Sequence, residues 1–397
     1  MRWDNLRLDE PLDTGGGEDL FTASRRDRAV PLIERGAVTR TFDTPSFRGM
    51  TFYEVQAKSV VNRVPEASRM PFRWTINPYR GCQHSCVYCF ARNSHTYLDL
   101  DAGADFNTRV VVKVNATELV RKKMASPSWA GEHIAMGTNV DCYQRAEGRY
   151  QLMPGIIGAL RDAANPFSIL TKGTLILRDI ELLAEAAEVT EVGLNVSAGF
   201  VDKDLWRSIE PGTPAPGRRL EACATLNDRG LRCGVLMGPV VPFLSDSPAQ
   251  LDEAVRQIAA TGARHVMPIV LHLRPGTREW FFTWLRAQHP GLVEAYLDLY
   301  GRGAYAPKAY QNRIAGQVRE LAEKYGMGRP SSGSGRGTLP PRYATAQRPA
   351  PAEDPAAMLS SGAMLSPQLS SDSESPKSPQ VTPQRRSPAP PEQLTLL

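Results

Sequence analysis

Residues 72–92 read Phe-Arg-Trp-Thr-Ile-Asn-Pro-Tyr-Arg-Gly-Cys82-Gln-His-Ser-Cys86-Val-Tyr-Cys89-Phe-Ala-Arg92. A short apolar strand, Phe72 to Ile76, runs into Pro78 and Gly81 and then into three cysteines at C-x3-C-x2-C spacing. Gaps of four and three residues would line the cysteines along one helix face. The proline and glycine just upstream make the segment a loop instead, so the thiolates wrap their ligand from three directions. Soft sulfur ligands select iron–sulfur clusters, and three thiolates leave one iron of a [4Fe-4S] cubane open to an exogenous ligand. A closed zinc site needs a fourth ligand, which His84, His95 or Cys142 would have to supply, and that set is the main rival. Cys142, Cys223 and Cys233 are scattered and read as structural thiols.

Outward from this loop the chain alternates short apolar runs with amphipathic stretches. Candidate strands are Phe72 to Ile76, Val110 to Val114, His133 to Gly137, Phe167 to Thr171, Val192 to Ser197, Cys233 to Val241 and Arg264 to Val270. Helices are expected between them at Ala116 to Met124, Gln151 to Ala164, Asp179 to Glu188, Arg218 to Arg229 and Pro248 to Thr261. Strand and helix in regular alternation predict a parallel sheet with helices outside, as a complete or partial βα barrel or a doubly wound sheet. In a barrel, reactive groups belong at the carboxyl ends of the strands. The cysteine loop follows the first candidate strand, Thr138 to Asp141 the third, Lys172 the fourth and Ser197 the fifth.

The cysteine spacing with Tyr88 before Cys89 resembles the signature of radical S-adenosylmethionine (SAM) enzymes, and the wider stretch around it resembles the spore photoproduct lyase-like branch. Ala91 to His95, Asp105-Phe106, Thr138 to Asp141, Thr171-Lys172, Leu177 to Asp179, Glu210-Pro211 and Arg219 to Glu221 recur in that branch's order, over roughly residues 50–325. The resemblance implies a partial, six-stranded (βα)6 TIM-like barrel and two cofactors, a [4Fe-4S] cluster on Cys82, Cys86 and Cys89 and SAM on the open iron. One electron from the reduced cluster would cleave the sulfonium, giving methionine and a 5′-deoxyadenosyl radical, while the barrel places the substrate hydrogen and excludes water. The electron would come from a donor such as flavodoxin or ferredoxin.

Lys172 ends a strand otherwise made of Phe-Ser-Ile-Leu-Thr, where its ammonium can meet the SAM carboxylate. Asn195 and Ser197 are candidates for the ribose or methionine part, and Tyr88 for the cluster or the adenine. Asn139 and Asp141 read equally as substrate contacts or as a local Asx turn. Cys142 invites comparison with the hydrogen-donor cysteine of spore photoproduct lyases, but aligning Asp141 with that motif puts Thr138 in the cysteine's place. Photoproduct reversal is therefore not implied. His84 and His95 read as solvent-satisfied loop histidines, and Trp280-Phe-Phe-Thr-Trp284 as a buried helix face. The basic, Tyr-bearing stretch from Arg302 to Arg313 reads as surface.

The chain has 397 residues, 42% of them hydrophobic, and a formal net charge of +5 with pI about 8.9. That suffices for one large core and permits a nucleic-acid partner without demanding one. The start does not read as a signal peptide and no apolar run is long enough to span a bilayer, so a cytoplasmic enzyme without membrane contact is expected. The expected organisation is an N-terminal extension at 1–70, partly disordered; the barrel at 71–270; a helical extension packed on it at 271–327; and a disordered Pro/Ser-rich tail at 328–397. The tail closes with Gln393-Leu-Thr-Leu-Leu397, which resembles the peptides by which bacterial DNA-maintenance proteins dock on the sliding clamp. The favoured reading is a radical SAM enzyme acting on DNA or another nucleic acid; the alternative is a noncatalytic metal- or Fe–S-containing nucleic-acid-binding protein.

Overall fold

A computed structural model describes residues 36–327 except 66, 67 and 69; the tail and its terminal peptide lie outside the described residues. Among the described residues, eleven strands form two sheets. The larger is built from β3 (Val61–Arg63), β4 (Trp74–Ile76), β7 (Ile134–Met136), β8 (Phe167–Thr171), β9 (Val192–Ser197), β10 (Gly234–Val240) and β11 (Val266–Val270). Its order is β11-β10-β9-β8-β7-β4-β3, so six parallel strands run in sequence and β3 pairs antiparallel at one edge. Such an open parallel sheet is the expected partial barrel.

Helices cross over between the strands, each burying an apolar stripe. Pro248–Ala259 starts on Ser247, whose hydroxyl accepts from the Gln250 amide in a capping box, and buries Leu251, Ala254, Val255 and Ile258 on one face. These side chains join Val235, Val240 and Val266 in the main core.

One expected barrel strand belongs elsewhere. Val110 to Val114 falls in β6 (Arg109–Lys113), which pairs parallel with β2 (Thr51–Val55) and antiparallel with β5 (Tyr79–Arg80). With β1 (Val38–Arg40) they make the second sheet, in the order β1-β2-β6-β5. A parallel neighbour of β4 needs a crossover, and the helix Ala116–Met124 follows β6 rather than preceding it. That helix therefore delivers the chain to β7, which pairs with β4. Thr138 to Asp141, Lys172 and Ser197 consequently follow the second, third and fourth parallel strands.

Residues 271–306 leave β11 and pack around the cysteine loop. Trp280, Phe281, Phe282, Trp284 and Leu285 of the helix Thr277–Gln288 are buried, as the sequence predicts, in a second core with Val87, Phe200, Ile209 and Val241. The Asn93 amide donates to the Pro275 carbonyl, and the Thr277 hydroxyl donates to the Cys89 carbonyl at 3.2 Å. The last helix, Lys308–Lys324, covers β11 through Ile314 and Val318. Among the described residues no helix is long and apolar enough to cross a membrane.

Candidate functional site

The cysteine loop leaves β5 through Gly81, at φ +84°, where a Cβ would lie 2.8 Å from both the Arg109 carbonyl and the His95 ring. Backbone bonds then fix it: Cys82 N–H donates to Phe106 O at 2.9 Å and Val87 N–H to Ile209 O at 3.1 Å. Gln144 clasps it from the loop after β7, accepting from Gln83 N–H at 3.1 Å and donating to Gly81 O at 3.0 Å. Gly212 presses so closely that an added Cβ would lie 2.0 Å from the Gln83 carbonyl.

Cys82, Cys86 and Cys89 are free thiols in one electrostatic neighbourhood. Burial pushes Cys82 well above the ordinary thiol range, with Asp141, Cys89 and Cys86 adding to it. Burial likewise pushes Cys86 up to about 12 and raises Cys89. Bringing them to the thiolate state needs positive charge, and three side chains supply part of it: Lys172 eases both Cys86 and Cys89, Arg219 eases Cys86 and Arg92 eases Cys89. Arg92 is fully buried. Its guanidinium donates to the carbonyls of Cys86, Ala102 and Gly103 and to Asn107 Oδ1 at 2.9–3.2 Å, and lies 4.7 Å from the Trp280 ring and 5.1 Å from the Phe106 ring.

Lys172 follows β8, its Nζ 5.8 Å from the centre of the Tyr88 ring. Asp141 fastens this corner: its carboxylate accepts from Tyr143 N–H at 2.8 Å, Thr171 Oγ1 at 2.6 Å and Lys172 N–H at 2.6 Å. The Tyr143 bond is the Asx turn foreseen for this loop. Tyr88 donates its hydroxyl to Glu210, which is fully buried and held from the other side by Arg219. Arg219 also donates to the Ser197 carbonyl at 3.0 Å, so one network ties the cysteine loop to the end of β9. Burial pushes Glu210 up, but Arg219 and Lys172 outweigh it and leave it below the ordinary carboxylate value.

The structure thus gathers the three cysteines, Tyr88 and Lys172 at the mouth. Leu194 and Val196 pack with the helix Pro216–Asp228, so Asn195 and Ser197 face the opposite side of the sheet. Ser197 donates its hydroxyl to Gly238 O at 3.0 Å, and Asn195, two residues deeper, accepts from His265 Nε2 at 2.9 Å. His84 and His95 are not solvent-satisfied: they are 3% and 0% exposed, because the loop folds inward beneath Gly212 and Phe106. Burial holds both down to about 4, hence neutral near neutrality. His95 Nε2–H donates to Arg109 O at 2.8 Å and His84 Nδ1 lies 3.4 Å from Asp141, while Cys142 is sealed in the main core. His84, His95 and Cys142 are thus each engaged in contacts of their own.

A model of the radical SAM superfamily matches residues 76–260. An uncharacterized protein of Mycobacterium tuberculosis is 47% identical over 333 residues, covering 84% of this chain and 93% of that protein. The chain belongs to the radical SAM superfamily. An uncharacterized protein of Methanocaldococcus jannaschii is 30% identical over 195 residues, 49% of this chain and 69% of that protein. Among solved structures, spore photoproduct lyase complexed with dinucleoside spore photoproduct is similar in fold, with a TM-score of 0.52 at 14% identity over 69% of this chain and 79% of that one.

Membership in this superfamily implies a [4Fe-4S] cluster and SAM. The residues present fit them. Three thiols come from one loop with buried cations beside them, and the Gln83 side chain between the first two cysteines is buried with neither polar atom bonded, an arrangement that a bound group would relieve. Arg92, Glu210 and Arg219 carry much of this radical SAM site although the sequence marked them only as recurring motif positions.

Proposed function

We propose that the protein cleaves SAM reductively at a [4Fe-4S] cluster held by Cys82, Cys86 and Cys89, and that its substrate is DNA or another nucleic acid. The observation that carries the first part is that three free thiols of one loop lie within electrostatic reach of one another and that Lys172, over the Tyr88 ring, lies within reach of Cys86 and Cys89. When bound, the two cofactors supply a 5′-deoxyadenosyl radical. The chain's own residues do the rest. Lys172 is assigned the SAM carboxylate, Ser197 and Asn195 the ribose or methionine side, and Tyr88, fixed by Glu210, a wall of the cofactor site. The second core shields the loop from water on the side of the helix Thr277–Gln288.

The nucleic-acid part is supported by the basic balance of the chain and by the fold likeness to a lyase whose solved complex holds a dinucleoside photoproduct. The reaction proposed is not photoproduct reversal, since Thr138 stands where the donor cysteine would be and Cys142 is sealed in the core. A low-potential flavodoxin or ferredoxin is the proposed electron donor. Gln393 to Leu397 is proposed as a sliding-clamp anchor; its test is the anisotropy of a labelled peptide spanning Pro388 to Leu397, and absence of saturable clamp binding overturns it.

The enzyme's test is anaerobic reconstitution. A broad visible absorbance with release of 5′-deoxyadenosine under dithionite is expected. Cys86→Ala should abolish the deoxyadenosine and most of the iron, whereas Cys142→Ala, Cys223→Ala and Cys233→Ala should not. A colourless protein with stoichiometric zinc, or full cluster in Cys86→Ala, would sink the reading.

A further inference from the structure

A pocket of about 540 Å³ opens at the mouth where the loops after β7 and β8 meet the segment 212–214. Its size suits a ligand rather than a few waters. Its floor is His84, which sits between two cluster cysteines, and Thr213; Phe47 and Leu175 give apolar walls; Arg145 and Arg149 stand at its rim. The two arginines are one turn apart on the helix Arg145–Tyr150 and therefore share a face.

This pair is held by neutral contacts, as are Arg274 and Arg278, but beside a pocket. Arg161, Arg178, Arg229 and Arg256 each meet a carboxylate. Arg145 instead donates to the Gly212 carbonyl at 3.3 Å, and the Arg149 guanidinium lies 4.7 Å from the Phe42 ring, which belongs to an aromatic group with Phe47, Phe52 and Tyr150. Among the described residues neither has an acidic partner. Both exposed cations are thus positioned by neutral contacts beside a cavity with hydroxyl donors and a ring. Fixed, planar guanidinium groups of this kind match phosphate oxygens, and the aromatic wall can take a base or sugar.

We propose that this pocket is a phosphate-binding subsite, in which Arg145 and Arg149 hold a phosphodiester of a single-stranded nucleic acid against Phe47. The inference rests on the reading of the protein as a nucleic-acid-modifying enzyme and adds where the backbone is gripped. It also sets a direction: the strand enters past the helix Arg145–Tyr150 and reaches the cysteine loop over His84.

The test uses full-length anaerobic holoenzyme without SAM or reductant, a fluorescein-labelled oligothymidylate as probe, and inorganic pyrophosphate as competitor. Arg145→Gln with Arg149→Gln should weaken probe binding at least about tenfold and reduce the log–log salt slope by about 0.7, the value for one lost phosphate contact. Arg207→Gln with Arg218→Gln removes the same charge from exposed helix faces and should leave the affinity within about twofold. Gly148→Glu is a second route. Gly148 is exposed and an added Cβ meets only a Leu175 methyl at 3.6 Å, so the helix tolerates the change while a carboxylate arrives between the arginines. It should weaken binding as much as the double substitution.

Equal affinity and slope in wild type and both pocket variants would overturn the inference, as would no saturable probe binding by wild type. Pyrophosphate competing as tightly as unlabelled oligonucleotide would overturn the nucleic-acid assignment and leave a small phosphoester as the ligand. The readout is separate from deoxyadenosine release. A holoenzyme that cleaves SAM while binding is indifferent to these substitutions defeats this inference alone; one that binds through them but makes no deoxyadenosine defeats the reading of the activity.

Discussion

Two buried groups of Tyr, Glu and Arg stand at the barrel mouth, and they hold different things. In one, Glu147 accepts from Tyr79, from the N–H groups of Leu152 and Met153 at 3.0 and 3.1 Å, and from Arg178 at 2.6 Å. Arg178 is 28% exposed and also serves Asp179, to which Tyr143 donates at 2.9 Å. In the other, Glu210 and Arg219 are 0% and 1% exposed and bind Tyr88 of the cysteine loop. Burial leaves Glu147 above the ordinary carboxylate value, whereas Arg219 and Lys172 bring Glu210 below it. The same three residue types thus pin helices to strands in one place and hold the cofactor loop in the other. Recurrence of a motif such as Leu177 to Asp179 beside a site need not mean that it touches the chemistry.

The sharpest way to break this comparison is to neutralise each glutamate. Glu210→Gln leaves Arg219 buried without a counter-charge and should cost about 3–5 kcal/mol in denaturant unfolding. By freeing Tyr88 it should also alter the electron paramagnetic resonance signal of the reduced cluster. Glu147→Gln should cost less, about 1–3 kcal/mol, because Arg178 keeps Asp179 and solvent, and the cluster signal should stay as it is. Equal spectral changes in both would erase the distinction.

Next in size is Lys172. A charge-assisted bond contributes about 1.5–3 kcal/mol, so Lys172→Ala should weaken SAM binding by roughly 10-fold to 100-fold with the cluster intact. An unchanged dissociation constant in a SAM titration of that signal would return Lys172 to the surface.

The acid limb of stability gives a smaller effect. His95 is held down to about 4 from an ordinary 6.5, chiefly by burial, with the Arg109 carbonyl opposing. The unfolded chain therefore takes the proton first. The contribution is full above 6.5 and is lost as pH falls toward 4, by up to about 1.4 kcal/mol per unit. His95→Gln should be less stable than wild type at about pH 7 but lose less on going to about pH 5, read as urea midpoints. Parallel losses would mean that the ring titrates normally. At the bottom of the scale, Glu181→Ala removes the solvent-exposed pair with Arg229 and should not measurably move the midpoint.

The cysteine loop, the alternation of strands and helices and the burial of Trp280 to Trp284 were legible in the sequence because each rests on local spacing. The sheet assignment of Val110 to Val114 was not. Three consecutive valines read as a buried strand in any sheet, and only the partners at Thr51–Val55 and Tyr79–Arg80 decide which one. His84 and His95 were misread for a related reason: loop residues are usually wet, but His84 is roofed by Gly212, more than a hundred residues away, and His95 is packed under Phe106 with its ring bonded to the Arg109 carbonyl. Glu210 and Arg219 become a pair only when a turn between two helices brings them together.

That roof bears on the order in which the site is made. The Cys89 carbonyl finds the Thr277 hydroxyl across 188 residues of chain. On a growing polypeptide the three cysteines are synthesised long before their lid, and the loop stands open on that side until the segment around Thr277 emerges. This wall of the site is thus made 188 residues after the cysteine it closes over.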